Sequence, residues 1–371
     1  MKKSFLFFAA LAISSGMSFA QAPINRIADI SQKGLKNDAT VNQSGPGYIR
    51  AEVKQEKGFN TAKIDQINLH NMPGALIESK VIQTGIGNDA TVKQTHNGMG
   101  MFPLTAKIVQ TGNKNTATQI QGPAPFFPFL GPLSAKIIQT GNGNTANQEQ
   151  YGVNNKAKII QTGNHNTASQ LQTNASNLAK IIQTGNDNTA DQKQYGMNLK
   201  AKIIQTGDGN TANQEQYGMF NVAYASQPGN NNLSTQIQHQ FSSNNYASVL
   251  QKGNWGTAWQ EQSGNWNKAE IEQGDFSYKN KAIQIQKSDG QAAFGNYVNI
   301  AKITQDGFGS NYAEQCQTNM YNVIPNEATI AQHGFMNTAI QTQFGGSNLS
   351  TITQSGALNS AVVTQTPFIM P

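Results

Sequence analysis

The 371-residue chain has a single cysteine, Cys316, which excludes an intramolecular disulfide framework. Charged residues are only 12% of it, against roughly 25% in an average soluble domain, and Gly, Asn, Gln, Ser and Thr fill the gap. An ordinary oil-drop core is therefore under-supplied. Past the N-terminus no apolar run approaches the ~20 residues of a membrane helix, so no membrane span is expected. Paired-carboxylate, Cys–His and Ser–His arrangements do not recur. The five histidines, His70, His96, His165, His239 and His333, fall at unrelated positions and read as solvated loop or surface residues, since ligands and catalytic bases need convergent partners. Glycine bends of the GNGN kind lack the Gly-Lys-Ser/Thr of a phosphate loop and the Gly-Gly-x-Gly-x-Asp of a calcium-binding nonapeptide. No enzyme activity, metal or cofactor is expected.

Residues 1–20, MKKSFLFFAALAISSGMSFA, read as a secretory signal, with Lys2 and Lys3 before an apolar run from Phe5 to Ile13 and small residues at Ser18 and Ala20. Without the two leader lysines the formal charge is (26 − 2) − 20 = +4. That is mild for so long a chain, and with no basic patch or RNA-stacking motif it speaks against nucleic-acid binding.

What fills the rest is a repeat. Residues 201–216 run AKIIQTGDGNTANQEQ and residues 179–194 run AKIIQTGNDNTADQKQ, with near copies at 157–172 and 135–150. The template is A-x-I-x-Q-x-G-x-x-N-x-A-x-x-x-Q. Its first glutamine recurs as Gln32, Gln55, Gln83, Gln110, Gln139, Gln161, Gln183, Gln205, Gln227, Gln251, Gln273, Gln305, Gln332 and Gln354, which makes fourteen copies, and a second glutamine follows in each, from Gln43 to Gln365. Longer gaps fall between copies, where a turn absorbs an insertion.

Within a copy the alternation has period two, which is strand geometry. Ala201, Ile203 and Gln205 share one face and Lys202, Ile204 and Thr206 the other. After the Gly207-Asp208-Gly209 bend, Asn210, Ala212, Gln214 and Gln216 again share a face. Each copy is strand, bend, strand, and segments such as 151–156 return the chain. The reading is an all-β fold, a β-solenoid of parallel in-register rungs over residues 28–365, preceded by a short segment 21–27 and followed by a tail 366–371. At roughly 4.8 Å per rung the column is roughly 65 to 70 Å long.

A buried amide without partners costs about 1 to 3 kcal/mol. Identical amides one rung apart avoid that cost, because each N–H donates to the carbonyl oxygen of the next. The inward ladders are accordingly assigned to Gln110, Gln139, Gln161, Gln183 and Gln205; to Asn115, Asn144, Asn166, Asn188 and Asn210; and to Gln121, Gln150, Gln172, Gln194 and Gln216. Bend glycines Gly112, Gly141, Gly163, Gly185 and Gly207 supply open backbone angles. The opposite facing would bury Lys107, Lys136, Lys158, Lys180 and Lys202 as one column of like charge, which is untenable. The facing with glutamine inward leaves Val109, Ile138, Ile160, Ile182 and Ile204 as an outward stripe, either covered by lysine stems or available for sideways bundling.

These residues resemble the curlin repeat, whose pattern is Ser or Ala, five residues, Gln-x-Gly-x-x-Asn-x-Ala, three residues, Gln. The resemblance runs from Ala28 to Gln365. It implies a secreted, non-enzymatic subunit of curli, the amyloid fibres of bacterial biofilm matrix, with itself as main partner and a nucleator and an outer-membrane secretion pore as further ones. Departures are the larger repeat number, Ala at most first positions (Ser79 and Ser350 excepted), Gly256 in place of the bend asparagine, Pro228 inside one bend, a missing glycine in the Gln273 copy and a shorter leading segment. Two other readings stay open: a minor, nucleating curlin, and a monomeric solenoid binding ice or glycans. Against ice, Thr206 and Thr211 flank a bend and cannot be coplanar.

Asp38, Asp89, Asp187 and Asp208, in or beside bends, are either ordinary turn residues or brakes on premature aggregation. Alternation turns Cys316 outward, as a bystander or a bridge between molecules. The insertion 122–132, GPAPFFPFLGP, is barred from a ladder by its prolines; it packs over an edge or meets another chain. Trp255, Trp259 and Trp266 cluster around one copy, as caps or as an aromatic contact.

Overall fold

The structure, a computed structural model, describes residues 25–69, 76–97, 102–123, 131–275, 277–288, 298–319 and 325–366. The expected signal at 1–20, the first part of the segment 21–27, most of the insertion 122–132, His70 and nearly all of the tail 366–371 lie outside these.

All regular structure among the described residues is β. Odd-numbered strands, from β1 (Asn25–Leu35) to β27 (Leu349–Ala357), form one 14-stranded sheet, and even-numbered strands, from β2 (Asp38–Ser44) to β28 (Ser360–Gln365), form a second. Every strand pairs in parallel with the strand two places on in the chain, so each copy of the repeat is one turn of a solenoid. Like residue lies over like: Ala157 on Ala179 on Ala201, Gln161 on Gln183 on Gln205, and in the facing sheet Ala168 on Ala190 on Ala212. The two copies with stretched bends keep this register, because the extra residues bulge outside the ladder: Gln273 still pairs Gln305 and Gln286 still pairs Gln317.

Alternation decides what is inside. In β15 (Lys200–Gln205) Ala201, Ile203 and Gln205 are buried while Lys200 is exposed; in β16 (Thr211–Met219) Ala212, Gln214 and Gln216 are buried. The small alanine columns let the sheets meet closely, and the Ile column packs between them. This aliphatic core is not continuous. One cluster ends at Ala225 and a second begins at Val249. The break falls where Ala225 replaces the usual Ile and Ser234 takes a position held by Ala212 and Ala258 on either side.

Bends impose two backbone constraints. Gly112, Gly141, Gly163 and Gly185 have φ between 112° and 117°, the region glycine enters without strain. Gly207 does not share that φ; there the constraint is space, since a Cβ would lie 2.1 Å from the Gly229 oxygen in the next rung.

Ser234 is fully buried and its Oγ has no hydrogen-bond partner. Ser234→Ala is therefore expected to raise the unfolding free energy by about 1 kcal/mol, measured as a higher urea midpoint at unchanged slope; an unchanged or lower midpoint contradicts this placement of the hydroxyl.

Candidate functional site

The first glutamine column is a single hydrogen-bonded file from Gln32 to Gln354. Each Nε2 donates to the Oε1 of the next rung at 2.7–3.0 Å, as from Gln110 to Gln139, Gln161, Gln183 and Gln205. The same Nε2 also donates across to the facing sheet: Gln161 reaches the carbonyl oxygens of Thr145 and Asn166, both at 2.9 Å. One primary amide thus ties its rung to the next and its sheet to the other. The second column does likewise from Gln43 to Gln365, through Gln121, Gln150, Gln172, Gln194 and Gln216, at 2.8–3.0 Å.

The bend asparagines form a third file of opposite polarity. Asn144 Nδ2 and backbone N–H donate back to Asn115 Oδ1, Asn166 to Asn144, and Asn188 to Asn166, at 3.0–3.1 Å. At Asn210 the backbone N–H donates to Asn188 Oδ1 at 3.0 Å, and Nδ2 reaches the Gly229 carbonyl at 2.7 Å. All fifteen assigned Gln and Asn residues are buried, and the bend glycines sit beside them, Asn144 Nδ2 donating to the Gly163 oxygen at 2.8 Å.

Two further files were not assigned from the sequence. Gln119, Gln148, Gln170, Gln192 and Gln214 begin a third glutamine ladder that runs to Gln341; its signal, the glutamine two places before the second template glutamine, was visible but fails in several copies. At the return turns Asn155, Asn177, Asn221, Asn245 and Asn267 are buried, and Asn177 N–H donates to Asn155 Oδ1 at 2.9 Å. Their signal lay in the irregular segments between copies.

Breaks in a file leave orphans where the geometry requires. Val92 precedes Gln119 in its column, so no amide donates to Gln119 Oε1, which is buried and unpartnered. Gly256 stands where a bend asparagine would, and Asn280 Nδ2 in the next rung is buried and unpartnered. The Gln119 orphan follows from one missing neighbour; Asn280 lacks both the axial Oδ1 and the next-rung glycine carbonyl that serves Asn210, Asn232 and Asn311.

The histidine reading needs one correction. His96, at the end of β6 (Asp89–His96), is fully buried: it stands two residues after Gln94 and so shares that glutamine's inward face. His165 and His333 are exposed, and His239 lies 2.9 Å from Glu261 Oε1. Cys316 is half-buried and burial pushes its thiol pKa up, which suppresses thiolate chemistry. Trp255 and Trp259 are exposed. Val109, Ile138, Ile160, Ile182 and Ile204 are half-buried beside the lysine column. Asp208 takes its place in an outer asparagine file, accepting from Asn186 N–H at 2.6 Å. Stacked Tyr195 and Tyr217 rings, 4.9 Å apart, join Met197, Met219 and Phe241 around an apolar surface groove. Among the described residues no group of His, Cys, Asp or Glu could hold a metal ion, and no helix is long and apolar enough to cross a membrane.

Parallel in-register rungs with amide files on the axis define a self-similar β-solenoid. The curlin associated repeat family matches residues 175–207 and 326–356. The chain thus carries curlin associated repeats at two places, and its parallel β-solenoid fits a curli-type structural subunit; no curated protein matches it.

Gly256→Asn is expected to supply the missing Oδ1 to Asn280. Its Cβ would lie 2.3 Å from Gln273 Oε1, the far end of a flexible side chain that must give way. A gain of about 1 kcal/mol in chemical unfolding is the expected result. Gln183→Glu gives a pH-dependent defect. Burial raises the folded pKa of the new carboxyl above the unfolded value of about 4.3, so the protonated form, which can still donate to Gln205 and accept from Gln161, is the one the fold retains. Stability should be near normal below pH about 4 and fall by about 3 kcal/mol or more as pH rises to 7; a pH-independent defect would contradict the ladder.

Proposed function

We propose that this chain is a secreted structural subunit that self-assembles head to tail into extracellular curli-like amyloid fibres of a biofilm matrix. The observation that carries this reading is the state of the two end rungs. They follow the same repeat template as interior rungs, yet their inward residues are not covered: Ala39, Val41 and Gln43 in β2 and Ala361, Val363 and Gln365 in β28 are only half-buried, where the equivalent interior residues are buried. Such edges are templates for another strand. The two ends differ, so addition is heterologous and gives an open filament. Each added molecule continues the stacking already present within one, and the shared repeat makes the new contact chemically equivalent to the old.

Export by the segment 1–20, passage through an outer-membrane pore and seeding by a nucleator belong to the same reading and rest on the curlin resemblance. The ladder amides serve as the structural site: they are satisfied only by a neighbour of the same kind, which favours itself as partner over unrelated chains.

The test is to purify residues 21–371, remove denaturant and follow an amyloid dye and electron micrographs. Expected are fibres forming without any second protein, with a reflection near 4.7–4.8 Å along the fibre axis. A persistent folded monomer would overturn the proposal. Fibres that appear only when seeded by another curlin would assign the chain to a dependent role.

A further inference from the structure

The third core column differs at the two ends of the molecule. Its occupants are Val41, Ile64 and Val92 in the first rungs, glutamine from Gln119 to Gln341, and Val363 in the last described rung. We infer that this column is an end code: the last rung of one molecule seats on the first rung of the next in a single register, each residue n of β1 and β2 meeting residue n + 322. This rests on the self-assembly reading above and specifies its interface.

The register follows from both glutamine columns, since 354 − 32 and 365 − 43 are both 322. The ladder polarities are complementary in it. Among the described residues Gln354 and Gln365 Nε2, in the last rung, donate only to backbone carbonyls, of Thr338 and Leu349, and have no Oε1 beyond them. In the first rung Gln32 and Gln43 donate onward to Gln55 and Gln66, and among the described residues no amide donates to their own Oε1. The asparagine file runs the other way: Asn359 donates back to Asn337 Oδ1, and among the described residues nothing donates to its own Oδ1, which can accept from the N–H groups of Asn37. Every donor left over at one end meets an acceptor left over at the other.

Val363 then lies on Val41 and extends the aliphatic run through Ile64 to Val92. The valine matters because of what a glutamine would do at position 41. Inside the molecule the valine-to-glutamine step from Val92 leaves Gln119 Oε1 buried and unpartnered, and a glutamine under Val363 would repeat that defect at every junction. Stacking the last rung on a rung with glutamine in this column, Gln119 to Gln341, would do so too. Charge is compatible as well: residues 345–366 carry no charged side chain, so Arg26, Asp29, Lys33 and Lys36 of the first rung meet no like charge.

Two measurements on fibres of residues 21–371 test this. In a Cys316→Ser background, Asp29→Cys with Thr351→Cys places two exposed thiols one strand spacing, about 4.8 Å, apart across the junction. Asp29→Cys with Thr364→Cys places them on different sheets. A short thiol cross-linker should join the first pair into covalent oligomers and leave the second unjoined. Separately, Val41→Gln should raise the critical concentration for elongation about tenfold, and adding Val363→Gln should restore it, because the amide introduced at position 363 then has the carbonyl oxygen introduced at position 41 to donate to. Fibres whose cross-links favour the second pair, or a double variant no better than Val41→Gln alone, overturn the end code while leaving self-assembly standing. Wild-type chains that form no fibres overturn both.

Discussion

A primary amide buried in a protein needs two donors and an acceptor satisfied at once, and the constraint on which this structure depends is that the identical amide one strand spacing away satisfies it. The axial hydrogen bond has the same repeat as the backbone bond, about 4.8 Å, so side-chain and main-chain ladders reinforce each other without strain. That identity of spacing turns Gln and Asn from costly core residues into cohesive ones. It also demands parallel strands in exact register, because a slip of one residue would send every amide to solvent. Sheet topology, glycine bends and tolerance of insertions only between or outside the ladders all follow from holding that register.

The same constraint explains where the molecule is imperfect. A missing member is felt one rung on: Val92 costs Gln119 its donor, and Gly256 removes the axial acceptor of Asn280. A column that changes from amide to aliphatic leaves an orphan on one side only, which is why the position of such a change carries information. Aliphatic columns are more forgiving, and the core passes through Ala225 and Ser234 with a gap in its apolar cluster and no loss of register.

Most of this fold was legible in the sequence because the period is short, the template has several fixed positions and its alternation is strictly two. The all-β solenoid and the burial of its alternating face could be read from residues 201–216 alone. The third glutamine column escaped assignment because Val41, Ile64, Val92 and Val363 interrupt it, so it looked like a variable position. The return-turn asparagines, such as Asn155 and Asn177, sit in segments whose length varies, where no template position could be fixed in advance. For His96 strand parity outweighs the surface preference of a lone histidine: counted from Gln94, it is inward.

The central claim is that the side-chain amides on the axis are hydrogen-bonded to one another. Hydrogen exchange of side-chain amide protons in assembled material, read by nuclear magnetic resonance with glutamine and asparagine labelled, measures this most directly. The account predicts that the Nε2 protons of Gln139, Gln161, Gln183 and Gln205 exchange as slowly as the backbone amides beside them, while exposed Asn213 exchanges freely. Rapid exchange of the four glutamines alongside protected backbone would contradict it.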